Sequence, residues 1–289
     1  MKITSLIAAG AAMLFISCSD SDDRNIVGNI ADEVSFSHYT YDSTITNAEH
    51  PEANSHYFFT GNIADGKLFS ITTQDGITTQ KYFYDGDLLT AANNTQFFYD
   101  NSGNVIGAQK LITESEGGNA MVYYRFIHPS ANVVYSERLS APYDSASPEL
   151  IWRNILEFDN NQEVVKAGRD QNLDGIIDAI NTFSYSNENL VSMQKPDGIA
   201  QAFSYAAIID NFSVLEDHSY GKKLRRIICA EHYAWGDFAN GFSQSRNLLS
   251  TAAAQDEYEV LDNNFYKKKT VSASVEAVHS EIVTEFFFN

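Results

Sequence analysis

Phe97-Phe98-Tyr99-Asp100-Asn101-Ser102-Gly103-Asn104-Val105-Ile106 is the stretch that decides the fold. Three aromatics lead into five small or polar residues, and an apolar pair follows. Aromatic and β-branched side chains suit a pleated, half-buried strand. Asp, Asn and Gly tolerate the positive φ angles that short hairpin loops need. The ten residues therefore read as strand, tight turn, strand.

The same grammar recurs on both sides. It appears in Tyr82-Phe83-Tyr84-Asp85-Gly86-Asp87-Leu88-Leu89, in Leu156 to Val165 around Asp159-Asn160-Asn161, and in Phe183 to Val191 around Asn187. Further strands are expected at Ile151–Phe158, over 247–250 and 256–262, and at the C-terminal Ile282–Phe288, with a lysine-rich turn at Lys267–Lys269. Residues 47–54 and 144–148 read as loops. Leu224, Ile227, Ile228, Glu231 and Trp235 recur at helical spacing, which predicts one short helix near 222–235 with its apolar stripe on the sheet. The fold class is all-β: a long antiparallel meander of hairpins curled into an open or closed barrel-like sheet. Alternating aromatics indicate a filled or half-filled interior, and polar residues on both strand faces favour a curled sheet outside the bilayer over a membrane-spanning barrel.

Residues 1–17 carry Lys2, then an apolar run from Ile3 to Ile16, too short to span a bilayer and suited to a signal-peptide core. Leu14-Phe15-Ile16-Ser17-Cys18 resembles a bacterial lipobox, which implies cleavage before Cys18 and lipidation of its sulfur. Residues 18–33, with Ser19-Asp20-Ser21-Asp22-Asp23, read as an acidic flexible tether and resemble the surface-export signal of Bacteroidota lipoproteins. The remaining 34–289 form a single β domain. The expected address is the outer membrane, at the cell surface, with contact to the membrane through the lipid anchor.

The hairpin units resemble the YD (Rhs-type) repeats of bacterial surface proteins, with residues 97–106 the best match and the others degenerate and irregularly spaced. The whole is similar to Bacteroidota cell-envelope lipoproteins of a family of unknown function with a porin-like fold. That resemblance implies a fold and a location but no activity.

Without residues 1–17 the chain carries 38 acidic and 18 basic side chains. Such a surface repels phosphate backbones, so nucleic acid is not an expected partner. The only other cysteine, Cys229, lies among apolar residues and reads as buried and inert.

Asp170-Gln171-Asn172-Leu173-Asp174-Gly175-Ile176-Ile177-Asp178 follows the first nine positions of a calcium loop. Asp170, Asn172, Asp174 and Asp178 would offer side-chain oxygens and Ile176 its carbonyl, around the sharp turn at Gly175. Position 12 is Asn181 where a bidentate Glu belongs, so any calcium would be weakly held and structural. The other reading is an acidic hairpin turn. No nucleophile elbow, zinc-binding helix or phosphate loop is present, and no catalytic residue is assigned. His232 beside Glu231 reads as a satisfied or exposed histidine. Trp152, Trp235 and the tyrosines are either core residues or a sugar-stacking platform. Three functions follow in order: a non-enzymatic surface module that binds a glycan or other small molecule or serves a structural role; a surface polysaccharide hydrolase; and a carrier of hydrophobic ligands.

Overall fold

The computed structural model describes residues 35–113, 118–235, 245–251 and 256–289. The signal peptide, Cys18 and the tether lie outside the described residues. One antiparallel sheet of 17 strands dominates. Its strands β1 (Phe36–Asn47), β2 (Ser55–Ala64), β3 (Lys67–Thr73), β4 (Thr78–Asp85), β5 (Leu88–Ala92), β6 (Thr95–Tyr99), β7 (Val105–Thr113), β8 (Asn119–Ser130), β9 (Val133–Leu139), β10 (Leu150–Phe158), β11 (Val164–Asp170), β12 (Asn181–Ser186), β13 (Asn189–Gln194) and β14 (Ala200–Ala202) are neighbours in chain order. A small separate sheet pairs β15 (Tyr205–Ile209) with β16 (Asn247–Leu249). The C-terminal strands β17 (Glu257–Val260), β18 (Tyr266–Val275) and β19 (Val278–Phe288) add on the other side of β1.

The sheet does not close: β14 and β17 are its edges. The β15–β16 ribbon reaches towards both. Ile209 N–H donates to Asn264 in the β17–β18 turn at 2.9 Å, and Arg246 N–H donates to Glu188 in the β12–β13 turn at 3.2 Å.

Five hairpin turns share one geometry, at residues 73–77, 100–104, 159–163, 195–199 and 261–265. In each, the first amide bonds the fifth carbonyl and the fourth amide returns to the first carbonyl. The fourth residue has positive φ every time: Gly76 80°, Gly103 81°, Gln162 62°, Gly198 82° and Asn264 67°. A type I turn followed by a left-handed residue is the three-residue hairpin loop expected between twisted strands. In the two units that start with Asp, that side chain adds two bonds. Asp100 accepts from Ser102 and Asn104 N–H at 2.8 and 2.9 Å, and Asp159 from Asn161 and Glu163 N–H at 2.8 Å each. The preceding tyrosine ties its hairpin to an earlier strand: Tyr99 OH donates to Leu89 O at 2.7 Å and Tyr84 OH to Leu68 O at 2.8 Å.

The helical segment is longer and more broken than the sequence predicts. It comprises α1 (Asn211–Tyr220), α2 (Lys222–Ile228) and α3 (Ala230–Trp235). Asp210 caps α1 by accepting Phe212 N–H at 3.1 Å, and Gly221, with φ 77°, separates α1 from α2. Packing of α1 on β3 and β5, and of α3 on β10, β11 and β12, requires the sheet to curl around the helices. Leu215, Leu224, Ile227 and Tyr233 accordingly share one core with Leu68, Leu89, Phe97, Leu156, Phe183 and Phe286.

The predicted helical stripe is only half right. Leu224 and Ile227 are buried, but Ile228 and Trp235 are exposed, and Lys222, Arg225 and Arg226 go inside instead. Carboxylates waiting there make this tolerable. Glu163 from the 159–163 turn holds Lys222 at 3.0 Å and also pairs with Arg226, while Glu216 and Asp217 on α1 hold Arg225, the former at 2.6 Å. Lys267–Lys269, expected as a turn, lies inside β18; the turn is four residues earlier, where Asn264 takes the positive φ. Alternation puts Lys268 near Glu285 and Lys269 3.0 Å from Asp256. No helix among the described residues is long and apolar enough to cross a membrane.

Candidate ligand cleft

The outer face of β8–β11 carries a ladder of alternating charge. Register sets Arg125 opposite Glu137, Glu137 opposite Arg153, and Arg153 opposite Asp170. The three ion pairs measure 2.6, 2.7 and 2.9 Å. Two loops cover it. Tyr143 lies against Gly107, where a Cβ would strike its ring, and Ile177 and Ala179 lie against Gly168 in the same way. Small residues are required at these two points of close approach.

The acidic loop grows out of the end of this ladder. Asp170 is buried; its Oδ2 bonds Arg153 and accepts Gly175 N–H at 2.8 Å, while its Oδ1 is buried with no hydrogen-bond partner. Asn172 Oδ1 accepts Asp174 N–H at 3.1 Å, Asp174 Oδ1 accepts Ile176 N–H at 2.8 Å, and Asp178 accepts Gln171 N–H. Gly175 takes φ 88°, the sharp turn expected of it. The bare Asp170 Oδ1 is a buried acceptor with no donor aimed at it. The side chains in this form do not yet converge: among the described residues, no group of three or more His, Cys, Asp or Glu side chains is gathered in a metal-holding arrangement.

A concavity lies on the other face, between the helices and the inner side of β4–β10. It is a half-open cleft of about 520 Å³. Strand alternation aims Phe97, Tyr124, Phe126 and Trp152 into it, and α2 and α3 add Ile227, Ile228 and Ala230. Gln80, Asn94, Lys110 and His232 supply polar groups around this apolar floor. Tyr124 and Trp152 meet edge to face at 6.3 Å. Burial pushes the Tyr124 hydroxyl above its ordinary range, and the nearby Glu231 charge adds to that. Tyr124 therefore stays protonated and able to donate.

Both tryptophans that the sequence marks as stacking platforms act here, in different ways. Trp152 lines the cleft. The Arg169 guanidinium lies 4.3 Å from the Trp235 ring centroid and 5.5 Å from that of Trp152, so it joins α3 to β10 and β11. His232 is exposed at the cleft, as expected, whereas Cys229 is fully buried and therefore does not join it in one cluster.

Two carboxylates line the cleft. Glu216 is committed to Arg225, and Glu231 lies 3.8 Å from Arg169. A glycosidase needs two carboxyl groups facing each other across the scissile bond. These two instead compensate cations of the helices and sheet. A carrier of hydrophobic molecules needs a dry apolar chamber. Here the space inside the curl holds α1–α3, and the remaining cleft is half open and partly polar.

No protein-family model matches the chain, and no curated protein does. Among solved structures, a porin-like protein from Bacteroides uniformis is similar, with 12% identity over 88% of this chain and 96% of that one. The TM-score is 0.28, a likeness that carries no argument about arrangement or activity.

Proposed function

We propose that the chain is a lipid-anchored envelope protein that captures a glycan segment or similar small ligand in the cleft. The observation that supports this is the cleft itself: aromatic rings on one wall, a few polar hydrogen-bonding groups around them, and its carboxylates already paired. Apolar floors with a few placed polar groups are the usual form of small-ligand sites, and sugar rings present both faces and hydroxyls to such walls. Titration calorimetry against a panel of neutral and acidic oligosaccharides tests it. Trp152→Ala should weaken the best ligand about thirtyfold, the equivalent of about 2 kcal/mol of lost ring contact. Unchanged affinity in that variant, or no binding across the panel, would overturn the cleft reading.

The anchoring half of the proposal rests on Ser17-Cys18 after the apolar leader. Cys18→Ala should release the protein from the membrane fraction or leave it unprocessed, since several acyl chains are needed for stable attachment. The chain has two cysteines, so a Cys18 thioether and a Cys18–Cys229 cystine are exclusive. Intact-mass analysis of the membrane-extracted protein should show the acyl mass; a cystine and no acyl group would refute the anchor.

The acidic loop supports a second proposal, calcium at Asp170, Asn172, Asp174, Asp178 and the Ile176 carbonyl. The bare, buried Asp170 Oδ1 favours it. Binding requires the Asp174 and Asp178 side chains to turn inward from their amide partners, so affinity should fall in the weak extracellular range, on the order of 0.1–1 mM. The melting temperature should rise as calcium is added, and Asp170→Ala with Asp174→Ala should abolish the rise. Identical melting in chelator and in about 5 mM calcium, above that range, would leave Arg153 as the only cation the loop uses.

A further inference from the structure

The charge of the cleft says which class of saccharide it would take. Lys110 occupies an inward position on β7, between buried Ala108 and the strand end, and lines the cleft beside Asn94 and Thr95. Its outward neighbour Gln109 bonds Gln96 across the sheet at 2.8 Å, which confirms the alternation. Two other cations near the cleft already face acids, Arg225 with Glu216 and Asp217 and Arg169 with Glu231, while Arg138 stands opposite Tyr124 and Trp152 in the register. Among the described residues no carboxylate pairs with Lys110. In a chain with net charge −19, an uncompensated cation inside a cleft stands against the general field.

We infer that the cleft is built for a saccharide bearing a carboxylate, with Lys110 Nζ as its anchor and the rings of Tyr124 and Trp152 against the sugar. This rests on the cleft reading above and narrows it. The paired acids Glu216 and Glu231 lie on the helix side, so a ligand carboxylate would turn to the β7 wall, away from both. The acidic surface elsewhere should slow its approach, and the preference should weaken as salt screens the pair.

Calorimetry with tetragalacturonate and with galactotetraose, its uncharged counterpart, tests the inference. Tetragalacturonate should bind at least about tenfold tighter, the worth of one charge-assisted hydrogen bond. Lys110→Gln should erase that advantage and leave the neutral sugar unchanged, and Lys110→Arg should retain it. Melting curves of both variants should overlay the parent, because among the described residues Lys110 makes no ion pair and is only half-buried. Equal binding of the two sugars, or an acid preference that survives Lys110→Gln, would overturn the inference while the cleft reading stands. If neither sugar binds and Trp152→Ala changes no ligand's affinity, both fall together.

Discussion

Arg226→Ala should lower the free energy of unfolding by about 3–5 kcal/mol, the usual cost of breaking a buried ion pair from one side. Arg226 is fully buried on α2, between the rings of Tyr185 and Tyr233 at 5.6 and 5.9 Å, and pairs with Glu163 of a hairpin turn. The substitution removes a large packed side chain and leaves the buried Glu163 carboxylate with Lys222 as its remaining cation. Arg226→Met separates these effects, because it keeps most of the volume. Burial already lifts Glu163 to about 7 despite Lys222, so in that variant the carboxyl can take up a proton. A carboxyl whose folded pKa exceeds its unfolded value of about 4.5 stabilises fully below that value. The contribution is lost as pH rises through the folded value. Arg226→Met should therefore lie closer to the parent at pH 5 than at pH 8, by urea denaturation at each pH. A flat difference between the two would mean that Glu163 does not answer for Arg226.

Phe286→Ala should cost a comparable 3–5 kcal/mol, the range for emptying a fully buried aromatic site. Phe286, on β19, is buried and meets Phe36 at 5.2 Å, Tyr39 at 5.5 Å, Phe212 at 4.9 Å and Tyr266 at 5.5 Å between ring centroids. Those rings come from β1, β18 and α1, so a single cluster fastens the first and last strands of the sheet to the first helix. Tyr39 itself packs over Gly61 so closely that no Cβ fits there. Phe286→Leu should lose far less. A loss under about 1 kcal/mol for the alanine variant, well below the range for such sites, would mean that the C-terminal strand is held by its backbone pairing alone.

The strands and turns were legible because their signals are local. Alternation and the Asp, Asn and Gly of each turn act within ten residues, and the bond pattern at 100–104 repeats at 159–163 with the same Asp caps. Helix α1 was not legible. Its buried set includes Asn211, Ser213, Asp217 and Ser219, so no apolar stripe marks it, and its partners lie far away in sequence. Ser219 Oγ, for example, accepts Leu68 N–H, 151 residues back. Register hid the outer ladder as well, since Arg125, Glu137, Arg153 and Asp170 become neighbours only once four strands are aligned. Of the cleft, Trp152 carried a sequence signal as a rare large aromatic. Lys110 carried none, and Tyr124 only the signal shared by every tyrosine, because an inward side chain reads like any other until the sheet curls.

Hydrogen exchange by mass spectrometry, with and without the tightest-binding saccharide of the panel, tests the cleft as the ligand site most directly. Ligand should slow exchange at residues 92–97, 108–110 and 124–126 on the inner wall and at 227–232 on α2 and α3, which all border the cleft. It should leave the outer loops 140–149 and 171–180 unchanged. Protection confined to those outer loops, or no change at the cleft walls under saturating ligand, would contradict the account.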